Sequence, residues 1–271
     1  MIRVQNIHFA YGRMPALQDI SFELNPGSLC GILGANGSGK TTLLKCLLGI
    51  LPAQKGSVQI GGKTLNLLSP GKRARHVAYV PQDTKQFGAS TVFETVLLGR
   101  KPYFGTSPTR HDVEMASEIL SSLELDNLAM RSVQTLSSGQ RQRVCIAKAL
   151  CQQAPVLLLD EPTANLDIRY QVEVMRLLQA LSRQGKTILF SVHDMAIPRA
   201  FCTDILLLKE GKLVARGGKE VLNKTNIEFL YDVCYEDISP LLPSPEQQWQ
   251  GCPERDHERI FAKCKNILNS N

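Results

Sequence analysis

A glycine-rich segment near the start of the chain has the residue types and spacing of a phosphate-binding loop. It matches the pattern GxxxxGK[ST] and consists of Gly34, Ala35, Asn36, Gly37, Ser38, Gly39, Lys40 and Thr41, with Thr42 directly after it. Glycines let the backbone curl so that several N–H groups converge on phosphate oxygens, and a helix starting near Lys40 directs its positive end at them. Lys40 can reach the β- and γ-phosphates, and Thr41 offers a hydroxyl to Mg²⁺. The segment predicts a nucleotide site.

Two adjacent carboxylates follow an apolar run later in the chain. Val156-Leu157-Leu158-Leu159 ends in Asp160 and Glu161, and ligands bind where parallel strands end. Adjacent strand residues point in opposite directions, so Asp160 can serve Mg²⁺ while Glu161 addresses another group, such as an attacking water. An Asp-Glu-Pro sequence is also a common helix start, but the phosphate loop favours the catalytic interpretation.

A capped helix start lies between these two motifs. Residues 136–140 read Leu-Ser-Ser-Gly-Gln, and Arg-Gln-Arg follows. Ser137 is predicted to cap the helix that runs through Val144 to Leu150. Alone the segment is only a helix cap, but its position between the loop and the acidic strand gives the order of the three a specific meaning.

The elements that must position these motifs predict an α/β fold. Alternation from Ile2 to Glu23 around a turn at Gly12-Arg13 predicts antiparallel strands, and a hairpin is expected at Gly61-Gly62. Short strands are predicted at Leu29–Leu33, Val77–Val80, Val156–Asp160 and Thr187–Val192, and helices at Thr42–Leu48 and Arg169–Arg183. From about residue 90 to 150 the spacing becomes helical, with one predicted face formed by Val113, Ala116, Ile119, Leu120 and Leu123. The sequence thus predicts an α/β core, an antiparallel piece at the front and a helical insert.

Composition excludes several classes of protein. Hydrophobic residues make up 43% and charged residues 21% of the 271, which is ordinary for a globular chain. No apolar run approaches the roughly 20 residues that span a bilayer, and no secretory signal is recognised, so a role inside the cell is expected. The net charge of +6 permits an anionic ligand without requiring nucleic acid. None of the eight cysteines forms a CxxC pair, so most are predicted to be buried thiols.

Taken in order, the motifs resemble those of the ATP-binding subunit of an ATP-binding cassette (ABC) transporter, from Ile2 to about Ser239. Tyr11 matches the adenine-stacking aromatic and Gln82 the Q-loop, residues 136–140 match the LSGGQ signature, 164–167 the D-loop, and 191–194 the switch-histidine segment. The resemblance implies a P-loop NTPase ABC cassette with an antiparallel β subdomain and an inserted α-helical subdomain. It places the ATPase domain at 1–239, with the insert at about 90–150, and leaves residues 240–271 as a tail of unknown role.

The resemblance also implies a mechanism in which two copies enclose two ATP molecules head to tail. Each ATP would rest on the loop of one copy and on the signature of the other, which consists here of Ser137, Ser138, Gly139 and Gln140. Glu161 would orient or deprotonate the water, His193 would contact the γ-phosphate, and Asp167 would hold the partner's loop region. Mg²⁺ is expected on Thr41, Gln82 and Asp160. Membrane permease subunits, an external substrate-binding protein acting through them and a position at the cytoplasmic face of the membrane follow, with no nucleic acid expected.

One signature position departs from the family, because Ser138 stands where the first glycine is expected. Its hydroxymethyl group would either crowd the partner's phosphate or donate a hydrogen bond to it, so the turnover rate is the property in question. Intact Glu161 argues against a degenerate site.

The segments 68–82, 91–103 and 226–233 resemble importers of the iron–siderophore, haem and cobalamin type. Zinc or manganese importers are the nearest alternative, and a soluble ABC ATPase that assembles cofactors or acts on nucleic acid is the other. Val92, Phe93, Val96 and Leu97 would either line a groove for a permease helix or belong to the core. Cys252 and Cys264, with His257 between them, suggest metal sensing only weakly.

Overall fold

The protein is described here by a computed structural model that covers residues 1–82 and 89–238. The tail predicted at 240–271, with Cys252, His257 and Cys264, lies outside these residues. Ten strands are present in the described part: β1 (Ile2–Tyr11), β2 (Met14–Leu24), β3 (Leu29–Leu33), β4 (Lys55–Ile60), β5 (Lys63–Thr64), β6 (Val77–Val80), β7 (Val156–Leu159), β8 (Thr187–Val192), β9 (Asp204–Lys209) and β10 (Lys212–Gly217).

Nine α-helices accompany the strands over the same residues. They are α1 (Lys40–Leu48), α2 (Pro70–Ala74), α3 (Val92–Leu97), α4 (Arg110–Ser122), α5 (Ser138–Cys151), α6 (Ile168–Arg183), α7 (Ala196–Phe201), α8 (Lys224–Tyr231) and α9 (Tyr235–Ile238). Short 3₁₀ turns occupy Leu65–Leu67, Leu98–Arg100, Asp126–Leu128, Val133–Thr135 and Lys219–Val221. None of the helices in 1–82 and 89–238 is both long and apolar enough to span a bilayer.

A six-stranded sheet in the order β10-β9-β3-β8-β7-β6 forms the centre of the fold. All its neighbouring pairs are parallel except β9 with β10. Strands β3, β7 and β8 are buried at every residue, as expected of parallel strands covered on both faces. Because β3, β8, β7 and β6 are neighbours, the segments that follow them meet at one sheet edge.

The second sheet is antiparallel, in the order β2-β1-β4-β5, as the alternation predicts. Its apolar face, with Ile7 and Ile20, packs in one cluster with Leu43 and Leu44 of α1 and with Ile32 of β3. Residues adjacent in β3, Leu29 and Leu33 among them, belong to the cluster on the other face of the six-stranded sheet. The period of two in strand side chains thus divides the core into two clusters.

The stretch between β6 and β7 is helical, as predicted. Thr91 and Thr109 begin α3 and α4 with reciprocal capping boxes. Val92 and Val96 are fully buried, so these two belong to the core, whereas Phe93 and Leu97 are only partly buried against it.

The predicted face of α4 was wrong at Val113, which is 40% exposed. The buried face instead begins with Asp112 and Met115. Asp112 is buried because Arg100 pairs with it, Nε to Oδ1 at 2.9 Å, with both side chains 4% exposed. A paired charge therefore occupies a position that the apolar pattern assigns to solvent.

The cysteine prediction holds for the described residues. Cys30, Cys46, Cys145, Cys151 and Cys202 are buried free thiols, and Cys234 is exposed.

Candidate functional site

The loop between β3 and α1 has the tight curve that its glycines predict. A Cβ on Gly34 would lie 2.2 Å from the carbonyl oxygen of Leu208, so this position admits no side chain. Gly39 has a φ of +102°, and a Cβ there would lie 2.8 Å from the Ala16 oxygen. Backbone packing therefore requires glycine at both positions, and the left-handed backbone requires it at Gly39 as well.

Lys40, the first residue of α1, folds back over the loop. Its Nζ donates to the carbonyl oxygens of Gly34 at 2.8 Å and Ala35 at 2.9 Å. The side chain is buried, which lowers its pKa, while the carboxylates of Glu161 and Asp160 oppose that shift by favouring the charge. The ammonium group thus faces the inside of the loop.

Ser38 provides a test of whether the loop fits a phosphate. Its Oγ is buried and has no hydrogen-bond partner among the described residues. A buried hydroxyl without a partner is unfavourable unless a ligand or water satisfies it. A phosphate oxygen held by the loop would do so, and the loop therefore fits the triphosphate of a nucleotide.

Asp160 lies at the carboxyl end of β7, next to the loop. It is 2% exposed, and its Oδ1 accepts from Thr41 Oγ1 at 3.1 Å and from Ser191 Oγ at 2.6 Å. The hydroxyl of Tyr79 donates to its Oδ2 at 3.4 Å, and burial together with this carboxylate raises the pKa of Tyr79. A buried carboxylate beside a threonine hydroxyl is a set of hard oxygen donors that suits Mg²⁺.

Glu161 faces a different set of groups from Asp160. Its φ of +47° is unusual for a non-glycine residue, and its backbone N–H donates to Ser191 Oγ at 2.8 Å. Gln82 Nε2 donates to Glu161 Oε2 at 2.7 Å, and His193 Nε2 contacts Oε1 directly. The left-handed turn after β7 thus aims the second carboxylate at the ends of β6 and β8.

The start of the loop borders a cleft of about 570 Å³ together with Glu161 and its two partners, Gln82 and His193. Its walls comprise Gly34, Ala35, Asn36, Gln82, Glu161, His193 and Tyr231. Six of these residues were predicted from the sequence as site residues. Tyr231 at the end of α8 was missed as a site residue: it lies in the importer-like segment 226–233, but no nucleotide-binding motif includes it and only the fold brings α8 to the cleft.

The signature and D-loop segments are absent from the described walls of this cleft. Ser137 caps α5, as predicted, since its Oγ accepts from the backbone N–H of Gln140 at 3.3 Å. Asp167 caps α6, accepting from the Tyr170 backbone N–H at 3.1 Å. Ser137 and Ser138 are exposed, whereas Gly139 is buried with its α-carbon facing the ring of Tyr170.

Tyr11 ends β1 beside the first turn of α1. Its hydroxyl lies 3.5 Å from Thr42 Oγ1, and its ring meets the edge of Phe9 at a centroid distance of 4.9 Å. The ring is 53% exposed, so it is free to stack on a planar group next to the loop.

The sequence profile described as ABC transporter matches residues 17–164, more than half of the chain. The chain belongs to the ABC transporter family. Within this family it is an ATP-binding subunit that hydrolyses ATP, and the ABC cassette fold predicted from the sequence is confirmed.

Two curated relatives differ in the transport that their names describe. The hemin import ATP-binding protein HmuV of Pseudomonas fluorescens is 35% identical over 97% of this ABC subunit and 100% of its own length. The manganese transport system ATP-binding protein MntB of Listeria innocua is 37% identical over 85% of this chain and 95% of its own.

Solved structures of ABC proteins share the fold. An inward-facing, metal-chelate type ABC transporter superimposes with a TM-score of 0.76 at 32% identity, covering 86% of this chain and 89% of its own. A dimeric ATP-binding cassette bound to ADP and Pi superimposes with a TM-score of 0.72 at 29% identity, covering 81% and 99%. The second of these structures is dimeric.

Proposed function

We propose that this ABC subunit powers the import of a metal chelate, of the iron–siderophore, haem or cobalamin type. The extent of the similarity to the hemin importer carries the proposal. That match runs over 97% of the chain, whereas the match to the manganese protein runs over 85%. The metal-chelate type transporter structure supports the same class of cargo.

The cleft would hold the triphosphate end of ATP. Lys40, now bonded to two loop carbonyls, would turn to the β- and γ-phosphates, and Ser38 Oγ would gain an oxygen partner. Backbone N–H groups of residues 34–42 and the start of α1 favour negative charge at the same place. Tyr11 would stack on the adenine beside Thr42.

The oxygen donors next to the loop would hold Mg²⁺. Thr41 and Asp160 already lie within hydrogen-bond distance of each other, and the side chain of Gln82 lies at the same edge of the sheet. When bound, the ion neutralises charge on the phosphates. The buried carboxylate of Asp160, held by Ser191, would be its charged ligand.

Glu161 would act as the general base on the attacking water. Its two oxygens are engaged by Gln82 and His193, which hold the carboxylate at the cleft. His193 would contact the γ-phosphate once nucleotide is bound, and Gln82 would report the state of the permease. Proton transfer to Glu161 would not change the contacts between the loop and the phosphates.

The signature would act on the ATP of a second copy. Ser137, Ser138, Gly139 and Gln140 lie at the start of α5, outside the described walls of the chain's own cleft. The amino end of a 14-residue helix favours the γ-phosphate across the interface. Asp167, at the start of α6, would hold the partner's loop region.

The membrane partners would determine where this subunit lies in the cell. The permease subunits would hold the dimer at the cytoplasmic face of the membrane, and an external binding protein would deliver the chelate to them. Residues 1–239 would form the ATPase domain, with the helical insert at about 90–150.

Uptake in cells tests the cargo. Deletion of the gene is expected to abolish uptake of one radiolabelled chelate and to leave manganese and zinc uptake unchanged. The wild-type chain should restore uptake, and Glu161→Gln should not. Loss of manganese or zinc uptake instead would show that the cargo is the free metal ion, which the similarity to the manganese transport protein favours. Unchanged uptake of all of them, with soluble proteins or RNA co-purifying, would refute transport.

A further inference from the structure

Tyr231 joins the catalytic cleft from the segment 226–233, outside the nucleotide-binding motifs. It is the last residue of α8 and lines the cleft with Glu161 and His193. Its ring packs against the main core cluster, and its hydroxyl is buried without a hydrogen-bond partner among the described residues. Native proteins rarely leave a buried hydroxyl unpaired, so a partner is expected in another state of the site.

The end of α8 is fixed, so that the ring has a defined position. Lys209 Nζ, at the end of β9, donates to the Phe229 carbonyl and to Asp232 Oδ1, each at 2.6 Å. Leu230 is buried in the core, and Asp232 closes the helix with a φ of +54°. A clamp on both sides of Tyr231 thus holds it against the cleft.

The charge of Asp194 indicates an acceptor for the Tyr231 hydroxyl. Burial and, after it, the carboxylate of Asp194 raise the pKa of Tyr231 to about 12. Asp194 follows His193 directly, and its Oδ1 accepts from the Ala196 backbone N–H at 2.7 Å. Tyr231 and His193 line the same cleft, so the segment that carries the histidine lies beside the tyrosine, and a carboxylate is a strong acceptor for a hydroxyl.

We propose that Tyr231 is a positioning residue, whose hydroxyl bonds the His193–Asp194 segment when His193 leaves Glu161 for the γ-phosphate. This inference rests on the proposed role of His193. It makes α8 part of the catalytic apparatus, since a helix outside the motifs then fixes the orientation of the imidazole. Tyr231 itself touches neither nucleotide nor water in this account.

A double-mutant cycle tests the proposal on the full chain with its membrane subunits. Tyr231→Phe keeps the ring packing and is expected to lower kcat about tenfold, as the loss of one hydrogen bond to a charged acceptor implies, with ATP affinity unchanged. In a His193→Ala background the same substitution should have no further effect, because Tyr231 acts through His193. Tyr235→Phe, in the same C-terminal segment, is the matched control and should match the wild type.

A second measurement does not depend on residual activity. The imidazole resonance of His193, assigned by its absence in His193→Ala, should shift in Tyr231→Phe with ATP bound and stay unchanged in Tyr235→Phe. An unshifted resonance, unchanged kcat, or an equal fall in kcat in both backgrounds would overturn the proposal. If His193→Ala itself hydrolyses ATP at the wild-type rate, the proposed role of His193 fails instead.

Discussion

The imidazole of His193 and the carboxylate of Glu161 contact each other directly at the carboxyl edge of the parallel strands. Their strands, β8 and β7, are neighbours in the six-stranded sheet, so the segments after them end side by side. Glu161 also accepts from Gln82, and both carboxylate oxygens are therefore engaged. Each carboxylate oxygen has a second lone pair, so Glu161 can still accept a hydrogen bond from a water while both contacts are present.

Glu161→Gln is expected to keep ATP binding and to reduce hydrolysis by about a hundredfold or more, because an amide cannot accept the proton of the attacking water. The variant should accumulate as an ATP-bound dimer, which gel filtration with and without ATP would detect. Glu118→Gln on the exposed face of α4 is the matched control. Turnover at the wild-type rate in the purified transporter would contradict the role of Glu161.

Lys40→Ala is expected to weaken ATP binding about tenfold to a hundredfold, because it removes the charge placed for the β- and γ-phosphates. Since Lys40 is buried and bonded to Gly34 and Ala35, thermal unfolding must be measured alongside the binding titration. Lys45→Ala, in the last turn of the same helix, should bind ATP normally. Equal affinity of Lys40→Ala and the wild type would refute the phosphate loop as the binding site.

Local motifs of the site could be predicted from the sequence because their geometry is local. The spacing of Gly34, Gly39 and Lys40 fixes a loop between a strand and a helix without reference to the rest of the fold. The contact of Glu161 with His193 depends instead on which strands are neighbours, and the residues alone do not state that order. Without the structure, only the family resemblance assigns Glu161 and His193 to the same site; the spacing of the residues does not.

Two errors have the same physical origin. Val113 was placed on the buried face of α4 and Asp112 was overlooked, because apolar periodicity does not register a buried carboxylate that Arg100 neutralises. Tyr231 was missed as a site residue because its position depends on the docking of α8 against β9. Long-range pairing decides both, and neither leaves a periodic signal.

The structure of the signature segment predicts that substitutions are tolerated differently at Ser138 and Gly139. A Cβ on Gly139 would lie 3.2 Å from the ring of Tyr170, whereas Ser138 is exposed. Gly139→Ala is therefore expected to displace the ring and lower the melting temperature and the ATPase rate. Ser138→Gly should alter the rate by about twofold to tenfold, the range of one hydrogen bond, without changing which nucleotide binds. If Ser138→Gly failed to fold, or Gly139→Ala kept full activity, the proposed roles of the two positions would be wrong.

The buried pair of Arg100 and Asp112 predicts a pH-dependent contribution to stability. Asp112→Asn leaves the Arg100 charge buried without its partner, and should lower the free energy of unfolding at pH 7 by about 3–5 kcal/mol. Glu114→Gln removes the exposed pair with Arg110 on the same helix and should change it by about 0.5 kcal/mol or less.

The sign of the pH dependence follows from the pKa of Asp112. Burial alone would raise that pKa, but hydrogen bonds from Thr109 and Arg100 outweigh it and hold it below the ordinary value. A lowered pKa in the folded state means that the contribution is complete above the unfolded pKa of about 4 and is lost as the pH falls further. Urea unfolding from pH 7 to 3 should therefore show the gap between wild type and Asp112→Asn shrink below about pH 4. A gap that stays constant would show that the carboxylate does not titrate in this range.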